Sequence, residues 1–325
     1  MAAYNAELFI KEAISSVLLQ SFEDFELLIV NDGSTDQTVA AVQSFEDPRI
    51  RLIHNASNQG LVVTRNRALD EARGEFIAVL DSDDIAVPER LQVQYDFMRQ
   101  HPEVALCSGH AALIDEQGTA TGQKFIVPTG GVNMEVFFGN PFINPAAMFR
   151  TDILRELGGY RDFAPAEDFD FFLRVSEKYP VANVDHFLVH YRLHGQNTSA
   201  IKASKIREIE TSILKDMYIR WGMPQEDEFL ELHYLLYSKN YHLIGFSDIL
   251  RVISTLKTAN ERSPRFSAKE FDALVFRKWY EIIMIKNPGK PALSLLFRAE
   301  VFRASFLTFK QFRRVFKQTF RALFK

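Results

Sequence analysis

Short apolar runs alternate with apolar positions at helical spacing through the first two hundred residues. Residues 25–30 (Phe-Glu-Leu-Leu-Ile-Val) read as a buried strand. The turn residues of 31–36 break it, and Thr35 or Asp36 can cap a helix beginning at Gln37. Residues 50–54 predict another strand, and Leu61, Thr64, Ala68, Leu69 and Ala72 predict a helix over 60–73. Phe76 to Leu80 is a continuous apolar run, the signature of a strand covered on both faces as in a parallel sheet. A helix from Pro88 to Gln100 and strands near Val104, near Ala111 and over 144–150 come next. A helix to Leu157 follows, stopped by Gly158-Gly159. Residues 168–179 are helical, with Phe169, Phe172, Leu173 and Val175 as the apolar side, and 181–193 form a strand pair or one long edge strand. This alternation predicts an α/β domain with a mainly parallel core over residues 1–200. From Ile201 the pattern is helical, with breaks at Gly222-Met-Pro224, Ser263-Pro264 and Asn287-Pro-Gly289. That gives a helical region over 201–295 and a tail helix over 296–325.

Composition adds a few exclusions. With 47% hydrophobic residues the chain can bury a sizeable core. The single Cys107 excludes an internal disulfide and a cysteine-built zinc site, and suits a reducing compartment. Its apolar neighbours mark it as a buried small hydrophobe and not a nucleophile. No window approaches the roughly 18 apolar residues of a membrane span. Lys11 and Glu12 interrupt the one early apolar segment, so no secretory signal is expected. Charge is uneven: residues 296–325 carry eight Lys/Arg and one acid, a local +7 within a chain of net −4.

The Phe76 strand runs into Asp81-Ser82-Asp83-Asp84. Carboxylates so close at a strand end call for a cation or a set of donors. A hard divalent ion shared with phosphate oxygens meets that need, at the end of the sheet where α/β proteins bind ligands. The plainer reading is a turn before a helix that starts at Pro88, and Asp84 fits it. Glu167-Asp168 opens a helix. A carboxylate there can serve as a general base if burial raises its pKa, or merely favour the helix dipole.

Seven motifs occur in order: Ala3-Tyr4-Asn5, Val30-Asn-Asp-Gly-Ser-Thr-Asp36, Asn58-Gln-Gly60 with Arg65-Asn66, Asp81-Ser-Asp-Asp84, Gly158-Gly-Tyr160, Glu167-Asp168, and Tyr191-Arg-x-His194-x-x-Asn197. Together, over residues 3–199, they resemble family 2 glycosyltransferases. The resemblance implies the GT-A fold and inverting transfer of a sugar from a nucleotide diphosphate sugar, a UDP-sugar by preference, to a hydroxyl of a glycan or lipid-linked acceptor. It implies a divalent cation (Mn²⁺ or Mg²⁺) on Asp83 and Asp81, with Asp81 and Ser82 also toward the nucleotide, and Asp168 as base beside an acceptor-side Glu167. It puts Asp32 at a uracil-type base, and a turn that caps the next helix is the alternative for Asp32. Tyr4 and Asn5 line the base site, Arg65 meets the nucleotide or its phosphates, and Gly60 and Asn66 shape that wall. Arg67 reads as solvated and Asp170 as structural. His194 is expected at the metal or the diphosphate, and Arg192 pairs a phosphate or a carboxylate. The Gln-x-x-Arg-Trp motif of processive synthases is absent, which favours single-sugar transfer. Only Met1-Ala-Ala3 stands where that family has its first strand, so the strand is expected to be missing, at a cost to stability and activity.

Other classes fit less well. A nucleotidyltransferase would show an early Gly-rich phosphate loop, and a dinucleotide oxidoreductase a Gly-x-Gly-x-x-Gly after its first strand; neither is present. A non-catalytic carbohydrate- or nucleotide-binding scaffold is the remaining alternative. In the tail, Phe302, Phe306, Phe309, Phe316, Phe320 and Phe324 share one helical arc, and Arg303, Lys310, Arg314, Lys317, Arg321 and Lys325 the adjoining one. That predicts peripheral binding of residues 297–325 to an anionic membrane at its cytoplasmic face, with no nucleic-acid partner. A terminal helix docked with its basic side in solvent is the plainer alternative.

Overall fold

The computed structural model describes residues 1–195, 203–286, 293–298 and 300–323. They divide into two units, 1–136 with 140–210, and 137–139 with 211–325. The division falls ten residues beyond the expected boundary, within a helix.

In the first unit Ala2–Ala3 form β1, so the first strand is short and not missing. It lies parallel to β2 (Leu27–Asn31), with Ala3 opposite Asn31, and β2 lies parallel to β3 (Ile50–His54). β2 is buried throughout, as its apolar run requires. A second sheet has the order β4 (Phe76–Ala78), β8 (Met148–Arg150), β6 (Leu106–Ile114), β9 (Val181–Arg192), β5 (Ile85–Ala86), with β7 (Ala120–Phe125) beside β6. Here only β6 and β9 run parallel. β4 ends this sheet, half-buried and antiparallel to β8, and not covered on both faces as its apolar run implied. The strands expected near Val104 and Ala111 are the single nine-residue β6. β9 is one long strand but an interior one, paired on both sides.

Helices cover these sheets. α1 (Ile10–Leu18) buries Ile10, Ala13, Ile14 and Val17, the spacing of one helix face. α2 (Thr38–Gln43) starts where Asp36 Oδ1 accepts the Thr38 N–H at 2.9 Å. α3 (Leu61–Glu71), α4 (Arg90–Gln100), α5 (Val132–Glu135), α6 (Thr151–Glu156) and α7 (Glu167–Lys178) complete the unit. Cys107 is fully buried in β6, which pushes its thiol pKa up to about 12. It is inert, as its apolar neighbours predicted.

α8 (Ala203–Trp221) runs into the second unit, where α9 (Asp227–Tyr237), α10 (Phe246–Arg262), α11 (Ala268–Lys286), α12 (Leu293–Leu296) and α13 (Phe309–Leu323) pack in succession. Trp279 is fully buried and donates its indole N–H to the Leu295 carbonyl at 2.8 Å. The tail is not one helix over 296–325. It breaks after Leu296, passes through a short turn at Ala304–Phe306 and becomes helical again at Phe309. Phe302 and Phe306 therefore leave the predicted arc and pack on Phe276. Asn197, Phe324, Lys325 and the 287–289 break lie outside the described residues, as does the side chain of Arg321.

Candidate active site

Asp32 follows β2 into a loop and is buried. Its Oδ1 accepts Asn55 Nδ2 at 2.6 Å and the Gln59 N–H at 2.8 Å, and Oδ2 accepts the Gly60 N–H at 2.9 Å. The carboxylate thereby fixes the loop that launches α3. Gly60 caps that helix at φ 88°, a setting glycine adopts without steric cost. Tyr4 and Asn5 border the same region: the Asn5 N–H donates to Ser34 Oγ, and its side-chain oxygen accepts the Thr35 N–H at 2.9 Å. Tyr4 is half exposed.

α3 carries Arg65 inward. Its guanidinium lies 3.1 Å from Asp81 Oδ1 and is ion-paired with Glu167 Oε1, while Tyr160 packs under it at 5.7 Å. Burial works against this charge, but the two carboxylates outweigh it and raise the arginine pKa. The neighbouring Asn66 has another task. It donates to the Tyr160 carbonyl and accepts the Tyr160 N–H, both at 2.8 Å. Gly159, at φ 67°, makes room for it, since a Cβ there would collide with Asn66 Oδ1. Arg67 is not solvated as expected. It donates to the His54 carbonyl at 2.6 Å and to Asn55 Oδ1, closing the end of β3.

The acid turn is gripped from behind. Asp83 Oδ2 lies 2.8 Å from His194 Nε2, and the Arg192 Nε donates to the Asp83 carbonyl at 2.8 Å. Arg192 is fully buried, pairs Glu12 at 2.6 Å and donates to the Glu116 carbonyl at 2.9 Å. Of its two expected partners, a carboxylate is the one found. Asp84 is buried and accepts the Arg192 backbone N–H at 2.8 Å, so it anchors the turn as its plainer reading had it. Burial and the Asp81 charge push the Asp83 pKa up, and burial with the charges of Asp83 and Asp81 pushes Asp84 well up. Ser82 lies half-buried in the same turn.

α7 begins with Glu167, whose second oxygen, Oε2, is buried without a hydrogen-bond partner. Beside it Asp168 is half-buried, and its pKa is raised to about 7, first by desolvation and then by the Glu167 charge, against the pull of Arg65. Asp170 is buried between Arg161 and Arg174, the structural role expected of it. Arg65 thus joins the Asp81 turn to the α7 start, and the Asp32 loop positions Arg65.

Among the described residues no three His, Cys, Asp or Glu side chains form a ready metal cage. His194, expected at the metal or the diphosphate, lies beside the acid turn with Nε2 2.8 Å from Asp83 Oδ2. Asp81 and Asp83 remain as hard oxygen donors, a set that suits an ion taking its other ligands from phosphates and water. Two residues at this site were not foreseen. Tyr160 stood in a motif with no role attached, and no local pattern marks Glu12.

The profile described as "Glycosyl transferase family 2" matches residues 1–158. An uncharacterized glycosyltransferase of Haemophilus influenzae is 31% identical over 229 residues, 66% of this chain and 71% of that protein. The chain belongs to glycosyltransferase family 2. Another member, the Escherichia coli UDP-Glc:alpha-D-GlcNAc-diphosphoundecaprenol beta-1,3-glucosyltransferase WfgD, is 30% identical over 256 residues, covering 75% of this chain and 91% of that one. Staphylococcus aureus TarS, solved with UDP-GlcNAc, superposes with a TM-score of 0.57 over 87% of this chain and 85% of its own, at 19% identity. The mannosyltransferase PcManGT of Pyrobaculum calidifontis, solved with GDP-Man and Mn²⁺, gives 0.52 over 100% of this chain and 84% of its own, at 16% identity. This family 2 enzyme therefore shares the GT-A fold of those transferases.

Proposed function

We propose that this enzyme transfers a hexose from a UDP-sugar, with inversion, to a hydroxyl of a glycan or lipid-linked acceptor in polysaccharide synthesis. One observation carries the reading: Arg65 pairs with both Asp81 and Glu167, so one guanidinium joins the acid turn to the residue next to the candidate base Asp168. Asp168, with a pKa near the operating pH, takes the proton of the acceptor hydroxyl as it attacks the anomeric carbon. Glu167, whose Oε1 is held by Arg65, stands on the acceptor side next to that base. Asp83 and Asp81 hold the cation, Mn²⁺ or Mg²⁺, and His194 orients Asp83. When bound, such an ion neutralises the charge that develops on the departing diphosphate. Tyr4 offers a stacking face to the base, and Asp32 reaches it through the loop of Gln59 and Gly60. The relatives that act on UDP-Glc with a lipid diphosphate acceptor, or bind UDP-GlcNAc, favour a uridine donor. We assign the reaction to the cytoplasmic face of a membrane, supported by the lipid-linked acceptor of the relative WfgD; no described helix is long and apolar enough to cross a membrane.

The test is a panel of nucleotide sugars assayed for Mn²⁺-dependent hydrolysis and transfer. We expect a UDP-sugar to be turned over, EDTA to stop it, and Asp168→Asn to lose transfer while keeping UDP binding. Tight nucleotide binding without turnover of any donor would leave the scaffold reading standing instead.

A further inference from the structure

The helix α13 has three sectors, a buried strip in addition to the aromatic and basic arcs that the sequence predicts. Val315 and Thr319 are buried and form a narrow strip along α13, a helix that also contacts α12. Next around the helix, Phe309, Phe316 and Phe320 stay 79%, 49% and 53% exposed, and the last two stack on each other at 6.2 Å. Beyond them Arg313, Lys317, Lys310 and Arg314 form the third sector, all exposed. Among the described residues none of these four cations pairs with a carboxylate, and residues 301–325 contain no acid at all. A helix that docks by so narrow a strip has spare length for a second surface. Exposing three phenylalanines in a row costs solubility unless something covers them. The cations fix what that is: a partner apolar at depth and anionic at its surface.

We propose that α13 is a peripheral membrane helix that lays Phe309, Phe316 and Phe320 into the acyl boundary of an anionic phospholipid bilayer, with its cation sector on the headgroups. The plainer alternative, a docked helix with a solvated basic side, accounts for Val315 and Thr319 and leaves the aromatic row unexplained. Both halves hold at once: the helix is docked, and its outer two sectors face lipid.

Cosedimentation of the full chain with vesicles tests this without any assay of sugar transfer. Vesicles of phosphatidylcholine with phosphatidylglycerol should bind the protein, and pure phosphatidylcholine should bind it far less. Each cation near an anionic surface adds roughly fivefold to partitioning, so K310E/R313E/K317E should lower it at least a hundredfold. F309S/F316S/F320S should lower it at least about tenfold while salt dependence persists. Because the substituted side chains are exposed, unchanged thermal unfolding will show that both variants fold. Equal binding of either variant, or equal binding to neutral and anionic vesicles, overturns the proposal. So does a protein that ignores vesicles and forms a dimer which the serine substitutions dissolve, since the aromatic row would then cover a second copy of the chain.

Discussion

Arg65 and Glu167 stand 102 residues apart in the chain and meet as a buried ion pair. Glu167 is 1% exposed, and removing its partner strands a charge that water cannot reach. Arg65→Ala should therefore cost about 3–5 kcal/mol of stability. Urea unfolding of Arg65→Ala, Glu167→Ala and the double variant forms a cycle, and the double variant should recover part of the loss. Strict additivity would mean that the pair is not energetically coupled.

The pH profile follows from Asp168. A base works when deprotonated, so kcat/KM should rise as pH climbs through about 7 and then level off. Glu167→Gln removes a like charge and should move the acid limb to lower pH. Arg65→Met removes a cation that lowers the same pKa and should move it higher. Shifts in the same direction in both variants would assign the limb to another group.

Asp83→Asn should abolish the Mn²⁺-dependent part of UDP binding, measured by calorimetry with and without metal. The metal-free affinity should change little, because the base contacts proposed above are made by other residues. Unaltered affinity in the presence of Mn²⁺ would remove Asp83 from the cation site.

His194 lowers the pKa of Asp83 through its hydrogen bond and charge. Without it Asp83 should hold its proton to higher pH. Mn²⁺ affinity of His194→Ala should then fall more steeply with decreasing pH than that of the unaltered protein, while His194→Gln, which can still donate, should recover part of it. A loss that His194→Gln does not recover at any pH would instead point to His194 as a direct ligand.

Gly159→Ala places a Cβ against Asn66 Oδ1 at φ 67°. It should cost roughly 1–3 kcal/mol and loosen the Tyr160 floor beneath Arg65. Thermal unfolding reads the first effect, and KM for the donor the second.

Much of this site was legible because its charges stand in contiguous motifs. Asp81, Asp83, Glu167 and Asp168 announced themselves as acids at strand and helix ends. The partners of Asn66, Arg67 and Arg192 were not legible, since they are backbone groups, the Asn55 amide oxygen and the Glu12 carboxylate, which no spacing rule connects to them. The Phe76 run shows a limit of pattern reading. A few apolar residues reveal a strand, but neither how fully it is covered nor whether its neighbour runs parallel or antiparallel, and β4 proved half-buried and antiparallel to β8. The tail misled for a related reason: an arc drawn at constant pitch assumes an unbroken helix, and the chain breaks after Leu296.

Arg192 and His194 both reach Asp83, one at its carbonyl and the other at its carboxylate. Their spacing of two residues works as a ruler, since alternate residues of an extended chain share a side. One residue inserted at Leu193 would leave Arg192 seated and swing the imidazole to the opposite face, keeping the turn but orphaning its carboxylate. Insertions here should thus be read by phase rather than by length.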